Sequence, residues 1–203
     1  MEKKTYKTID KIFSYEIDKI KGSRFIGYII PILNEEEFKV EINKIKKKFH
    51  DARHHCYAYI LGEGDNAIIK YSDDGEPSKT AGAPIFNVLK GSEVTNALLV
   101  VIRYFGGTKL GTGGLIKAYT LASQAVIENT DFIDIEIKKT VKIRFSYDLT
   151  KQIYHVMSNF DAKMIKEEYG NDVLFDIDVN IAFIDDFKAE LKEKTDGRCE
   201  ICH

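Results

Sequence analysis

NALLVVIRYFGGTKLGTGGLIKAY, residues 96–119, holds a strand, a glycine-rich turn and the start of a helix in one run. Residues 96–105 are almost continuously apolar, which predicts a central strand buried on both faces. Beyond the turn, Leu115, Ala118, Tyr119, Ala122, Ala125 and Val126 recur at helical spacing and predict an amphipathic helix. Between them stand Gly106, Gly107, Gly111, Gly113 and Gly114, enclosing Lys109. Glycine lets the backbone approach a ligand closely, and free N–H groups at a helix N-terminus attract anions. Arg103 and Lys109 add positive charge, and an arginine fork can grip a phosphate bidentately. With Lys117 on the following helix, these residues form the candidate phosphate- or nucleic-acid-binding set. The segment is neither a Walker A loop nor a dinucleotide-binding GxGxxG unit. A tight strand-to-helix turn would ask for glycine on steric grounds alone, but five glycines and two cations exceed that need.

Upstream, Lys21-Gly22-Ser23 reads as a turn between two strands, and Pro31 closes the second. Asn34 then reads as the cap of a helix with Glu35, Glu36 and Glu37 in its first turn and Lys46, Lys47 and Lys48 in its last. Phe38, Ile42, Ile45 and Phe49 give that helix one apolar face, so the lysine run reads as a solvated helix end. Strands follow near 55–61 and 67–71, then a loop, then a helix with Pro84 at its first position and Gly91 as its stop. The loop turn Asp73-Asp74-Gly75-Glu76 offers hard oxygen ligands, and His54 and His55 lie nearby in sequence. It lacks EF-hand spacing, and neighbouring histidines on a strand face opposite ways, so at most one joins such a site. His54, His55, Asp73, Asp74 and Glu76 are therefore candidate catalytic residues; no metal or cofactor is assigned.

From about residue 132 the pattern becomes a strand (133–146), a helix, a hairpin of strands 163–169 and 173–183 around Gly170-Asn171-Asp172, a helix and a last strand. That βαββαβ order is ferredoxin-like. The expectation is an α+β chain of two domains, 1–131 and 132–203. The first carries 19 basic and 17 acidic residues, about +2; the second carries 11 and 15, about −4. Such a mild asymmetry is far from a nucleic-acid coat, so any nucleic-acid role rests on a local patch.

The first residues contain no long apolar run after their lysines, so they do not read as a signal peptide, and no stretch is long enough for a membrane helix. The expectation is a cytoplasmic protein. Three cysteines do not make a disulfide framework. Cys56 reads as a buried strand residue. Cys199, Cys202 and His203 formally match a haem-attachment string, but without export or a haem pocket they read as incidental thiols of the final strand.

Taken together, DARHHCYAY (51–59), YSDDGEPSKTAGAP (71–84) and RYFGGTKLGTGGLIKAY (103–119) resemble the signature blocks of the YigZ/IMPACT family. Lys79 stands where glycine is expected and Lys117 where arginine is frequent. The resemblance implies an N-terminal domain like a small-subunit ribosomal protein's second domain and domain IV of elongation factor G, with a βαβ crossover of unusual hand. It implies a tail like that factor's domain V. It further implies association with RNA, the ribosome or a protein partner of the translation machinery, and a role in regulating translation. Eukaryotic members restrain a stress kinase through an additional N-terminal domain that is not recognisable here, so that role is not carried over. Two alternatives stand beside RNA binding: an enzyme acting on a small phosphorylated metabolite, and a protein-binding adaptor. Convergence of the histidine, acidic and arginine residues on one concave pocket would favour the enzyme.

Overall fold

The computed structural model describes residues 4–202. It divides into two compact units, one from Tyr6 to Asp134 and one from Ile135 onward that also takes in Lys4 and Thr5. A linear boundary at 131/132 does not anticipate the return of those first residues. They belong to the second unit because Lys4 N–H donates to Asn180 Oδ1 at 3.1 Å, while Asn180 Nδ2 donates to the Lys4 carbonyl at 3.1 Å. Strands β1 (Thr5–Thr8) and β7 (Ile133–Glu136) form a two-stranded sheet.

The first unit is built on strands β2 (Phe13–Glu16), β3 (Arg24–Pro31), β4 (His54–Leu61), β5 (Ile68–Ser72) and β6 (Ala97–Tyr104), with helices α1 (Glu35–Lys48), α2 (Gly82–Gly91) and α3 (Gly111–Glu128). The strand order is β2-β3-β6-β4-β5, every neighbouring pair antiparallel. Two crossovers, β3–α1–β4 and β5–α2–β6, each step over one intervening strand. Central β6 feeds two cores by simple alternation. Ala97, Leu99 and Val101 pack with Ile85 and Leu89 of α2 and with Leu115, Ala118, Tyr119 and Ala122 of α3. Leu98, Val100 and Ile102 pack with Ile42 and Ile45 of α1 on the other face. A continuous apolar run suits parallel sheets; here an antiparallel strand carries one because helices cover both faces.

The cap of α1 is as its sequence predicts: Asn34 Oδ1 accepts from Glu37 N–H at 2.9 Å. Two details of α2 differ from expectation. Pro84 is its third residue and Gly91 its last, and the N–H groups at its start are met by the distant carboxylate of Asp73 rather than dispensed with by proline.

In the second unit β8 (Lys138–Phe145), α4 (Thr150–Asn159), β9 (Lys163–Tyr169), β10 (Val173–Asn180), α5 (Ile184–Lys194) and β11 (Glu200–Cys202) give an antiparallel sheet of order β11-β8-β10-β9, the ferredoxin-like order. Val141, Ile143, Phe175 and Ile177 face Ile153, Val156, Phe187 and Leu191 of the two helices. The expected strand 133–146 is interrupted at Ile137, whose N–H donates to the Lys4 carbonyl at 2.9 Å. The other sheet face carries ion pairs: Lys142 with Asp176 at 3.5 Å and Arg144 with Glu200 at 3.6 Å. Among the described residues no helix is long and apolar enough to cross a membrane.

Candidate anion-binding cavity

On neighbouring strands β4 and β6, His54 lies opposite Arg103. Both side chains therefore leave the same face of the sheet, towards α2 and α3. His55, one residue on, faces the other way. It is buried, and its Nε2–H donates to the Phe49 carbonyl at 3.0 Å. After β5 the chain doubles back through Asp74 (φ 41°) and Gly75 (φ 87°), which carries Glu76 inward. The Glu76 side chain is only 4% exposed, and its Oε1 accepts from Arg103 Nη1 at 2.6 Å and from Tyr119 Oη at 2.9 Å. His54 Nδ1 lies 2.9 Å from the Asp74 carbonyl, which can only accept, so that nitrogen carries the proton. Its Nε2 is thereby turned towards Glu76 Oε1 at 3.9 Å.

Arg103 is 5% exposed, and its guanidinium lies 5.7 Å from the centre of the Phe25 ring and 5.6 Å from that of Phe105. Its Nη2 reaches Ser23 Oγ at 3.4 Å, whereas Nε has no hydrogen-bond partner among the described residues. Burial drives the Tyr119 hydroxyl far above its usual pKa, with Cys56 and Glu76 adding to the effect, so it acts as a neutral donor. Burial likewise pushes the Cys56 thiol up; its S–H donates to the Asp73 carbonyl at 2.9 Å.

Above this buried cluster opens a cavity of about 480 Å³, lined by Arg53, His54, Glu76, Arg103, Phe105, Lys109 and the first turn of α3, Gly111 and Thr112. Glu76 is already neutralised by Arg103, so Arg53 and Lys109 leave the cavity positive. Helix α3 starts at Gly111 with no side-chain cap and no acidic residue in its first turn. Its first N–H groups and the positive end of its dipole therefore face the same space.

The histidine, acidic and cationic residues predicted from sequence do not all come together. Glu76, His54, Arg103, Lys109 and Gly111 meet at the cavity. Asp73, Asp74 and His55 do not, and each has a structural task. Asp73 Oδ1 accepts from the N–H groups of Ala81 (2.9 Å) and Gly82 (2.8 Å), capping α2, and its Oδ2 accepts from Lys79 N–H at 2.8 Å. Asp74 Oδ2 accepts from His55 N–H at 2.8 Å, and its Oδ1 meets Lys46 Nζ at 3.2 Å, so this lysine is not simply solvated. Burial raises the Asp74 carboxyl, and those two partners outweigh it and hold the group below its ordinary value. Among the described residues no group of three or more His, Cys, Asp or Glu side chains is arranged to hold a metal.

The glycines also part company. Gly106 is steric, since a methyl there would run into the Gly22 carbonyl carbon and the Ser23 nitrogen. Gly107 and Gly111 take positive φ, 89° and 74°. A Cβ on Gly113 would meet nothing within 4 Å, while one on Gly114 would press on Leu110 Cβ at 3.2 Å. Lys117 is exposed and does not line the cavity. Arg103 lines the cavity from a buried position, where Glu76 and Ser23 already hold two of its nitrogens. Sequence reasoning missed Arg53, Phe105 and Thr112 as wall residues and Tyr119 as a polar one; Arg53 and Phe105 flank the paired strands β4 and β6 while Thr112 and Tyr119 come from α3, so only the packed fold brings them together. At the C-terminus, Cys199 and Cys202 are free thiols, and burial pushes Cys199 up to about 11. His203 lies outside the described residues.

Residues 21–127 match the Impact N-terminal domain, and 143–198 match a domain of unknown function, DUF1949. The chain is 36% identical to IMPACT family member YvyE of Bacillus subtilis over 97% of its own length and 90% of the relative's. It is 33% identical to IMPACT family member YigZ of Escherichia coli, over 91% of each chain. Rabbit Protein IMPACT (Oryctolagus cuniculus) is 34% identical over 45% of this chain and 29% of that protein. A crystal structure of a hypothetical protein superposes with a TM-score of 0.72 at 29% identity, covering 99% of this chain and 97% of the other. Its two matched domains and its near full-length relatives place this chain in the IMPACT family.

Proposed function

We propose that this IMPACT family member is an RNA- or ribosome-associated protein of the cytoplasm that contributes to regulating translation, and that its N-terminal unit meets RNA phosphates at the cavity. One observation carries the reading: the uncapped first turn of α3 shares a cavity with Arg53, Arg103 and Lys109. Backbone N–H groups, a helix dipole and cations gathered in one place suit a phosphate. Gly107, Gly111, Gly113 and Gly114 keep that backbone bare, Gly106 fixes the turn, and exposed Lys117 extends the charge along α3.

Titration of the full chain with total RNA and with ribosomes tests this. Binding should be measurable at low salt and weaken steeply as salt rises. Arg53→Ala and Lys109→Ala should each weaken it and lower the salt slope by about 1. No binding at low salt, or variants indistinguishable from the parent, overturns the reading. Arg103 is a poorer test residue because its loss leaves Glu76 buried and unpaired.

The concavity supports a second reading, an enzyme acting on a small phosphorylated metabolite. His54 Nε2 beside Glu76 would serve as acid or base there. Turnover of a phosphorylated metabolite that is lost in His54→Ala, with RNA binding absent, would replace the first reading by this one.

A further inference from the structure

Arg103 is only 5% exposed, yet it lines the cavity. A donor at that depth is reached only by a group that ends there. An internal phosphodiester carries a sugar on both sides and a single charge. A phosphomonoester has three terminal oxygens, close to two charges near neutral pH, and nothing beyond them. Three kinds of donor line the cavity to meet such a group: the guanidinium of Arg103, the first N–H groups of α3, and the Lys109 side chain. Gly111 and Gly113 leave the approach to those N–H groups open, since a Cβ on either would meet nothing within 4 Å.

The rim adds a second element. Phe105 is 47% exposed although it is large and apolar, and its ring lies beside the Arg103 guanidinium. An exposed ring next to a phosphate site is a platform for a nucleobase. A cavity of about 480 Å³ has the capacity of a small-ligand pocket.

We infer that the cavity holds a nucleotide that ends in a phosphomonoester, its phosphate between Arg103 and the first turn of α3 and its base on Phe105. The inference rests on the phosphate-binding reading above and names the part of the ligand that enters. Two sources share this chemistry, a phosphorylated RNA end and a free nucleoside monophosphate.

The test uses the full chain and calorimetric titration with five probes: one short single-stranded RNA carrying a 5′-phosphate, a 3′-phosphate or hydroxyls at both ends, then adenosine monophosphate, then adenosine. At least one phosphate-ended RNA should bind about tenfold or more tightly than the hydroxyl-ended one. Thr112→Glu should erase that preference; its acidic side chain favours the N-terminus of α3, so folding is retained. Phe105→Ala should weaken the nucleotide probes several-fold. Equal affinity for phosphate- and hydroxyl-ended RNA overturns this inference while leaving RNA binding in place. Binding of adenosine monophosphate but of no RNA upholds the site and overturns the RNA reading. Binding of none of the probes overturns both.

Discussion

Glu76 is the residue on which the cavity turns, since one oxygen serves both Arg103 and Tyr119. Removing its charge leaves Arg103 buried without a counter-ion, a worse state than either a complete pair or a wholly apolar site. Glu76→Gln keeps the shape, so its effect isolates the charge. We expect a loss of about 3 kcal/mol in urea unfolding, and a change below roughly 0.5 kcal/mol would show that the pair does not support the fold. Little of this was legible beforehand. Glu76 and Arg103 are 27 residues apart, and no local spacing couples them. Strand alternation did say that only one of His54 and His55 could serve the site. The choice of His54 came from its register opposite Arg103. Asp73 and Asp74 looked like ligands because a sequence displays carboxylates but not the N–H groups that occupy them.

At the scale of elements, α1 was fully legible because its cap, first-turn acids and last-turn bases lie within one short stretch. The start of α2 was not, since its capping carboxylate, Asp73, sits eight residues before Ala81. The glycine turn was legible as a composition and illegible as a mechanism. Its contact with Gly22 joins two turns that are distant in sequence, whereas Gly113 has no steric reason to be glycine. Opposite outcomes follow for one kind of substitution. Gly106→Ala should destabilise by roughly 3 kcal/mol, because backbone must move. Gly113→Ala should raise stability by about 0.5–1 kcal/mol through helix propensity while weakening RNA binding. Thermal melts of the two variants would settle this, and equal melting temperatures would contradict both halves.

For the whole molecule, the tail could be read from its βαββαβ element order, a recurrent pattern, although its crossovers β8–α4–β9 and β10–α5–β11 each step over a strand. The order β2-β3-β6-β4-β5 could not: its crossovers skip a strand too, skipping leaves no local trace, and its element order spells out no such recurrent pattern. We propose that each unit is a domain, because each holds its own apolar core. A fragment of residues 6–134 should fold alone and bind RNA within about threefold of the full chain, since the open face of the tail's sheet is occupied by its own ion pairs. A drop beyond tenfold in titration would move part of the binding surface into the tail. Position 105 has a practical consequence as well. The chain contains no tryptophan, so an indole replacing the exposed ring beside Arg103 would be its sole long-wavelength emitter. An optical reporter could thus sit at the mouth of the cavity against a dark background, turning occupancy into a signal that needs no labelled ligand.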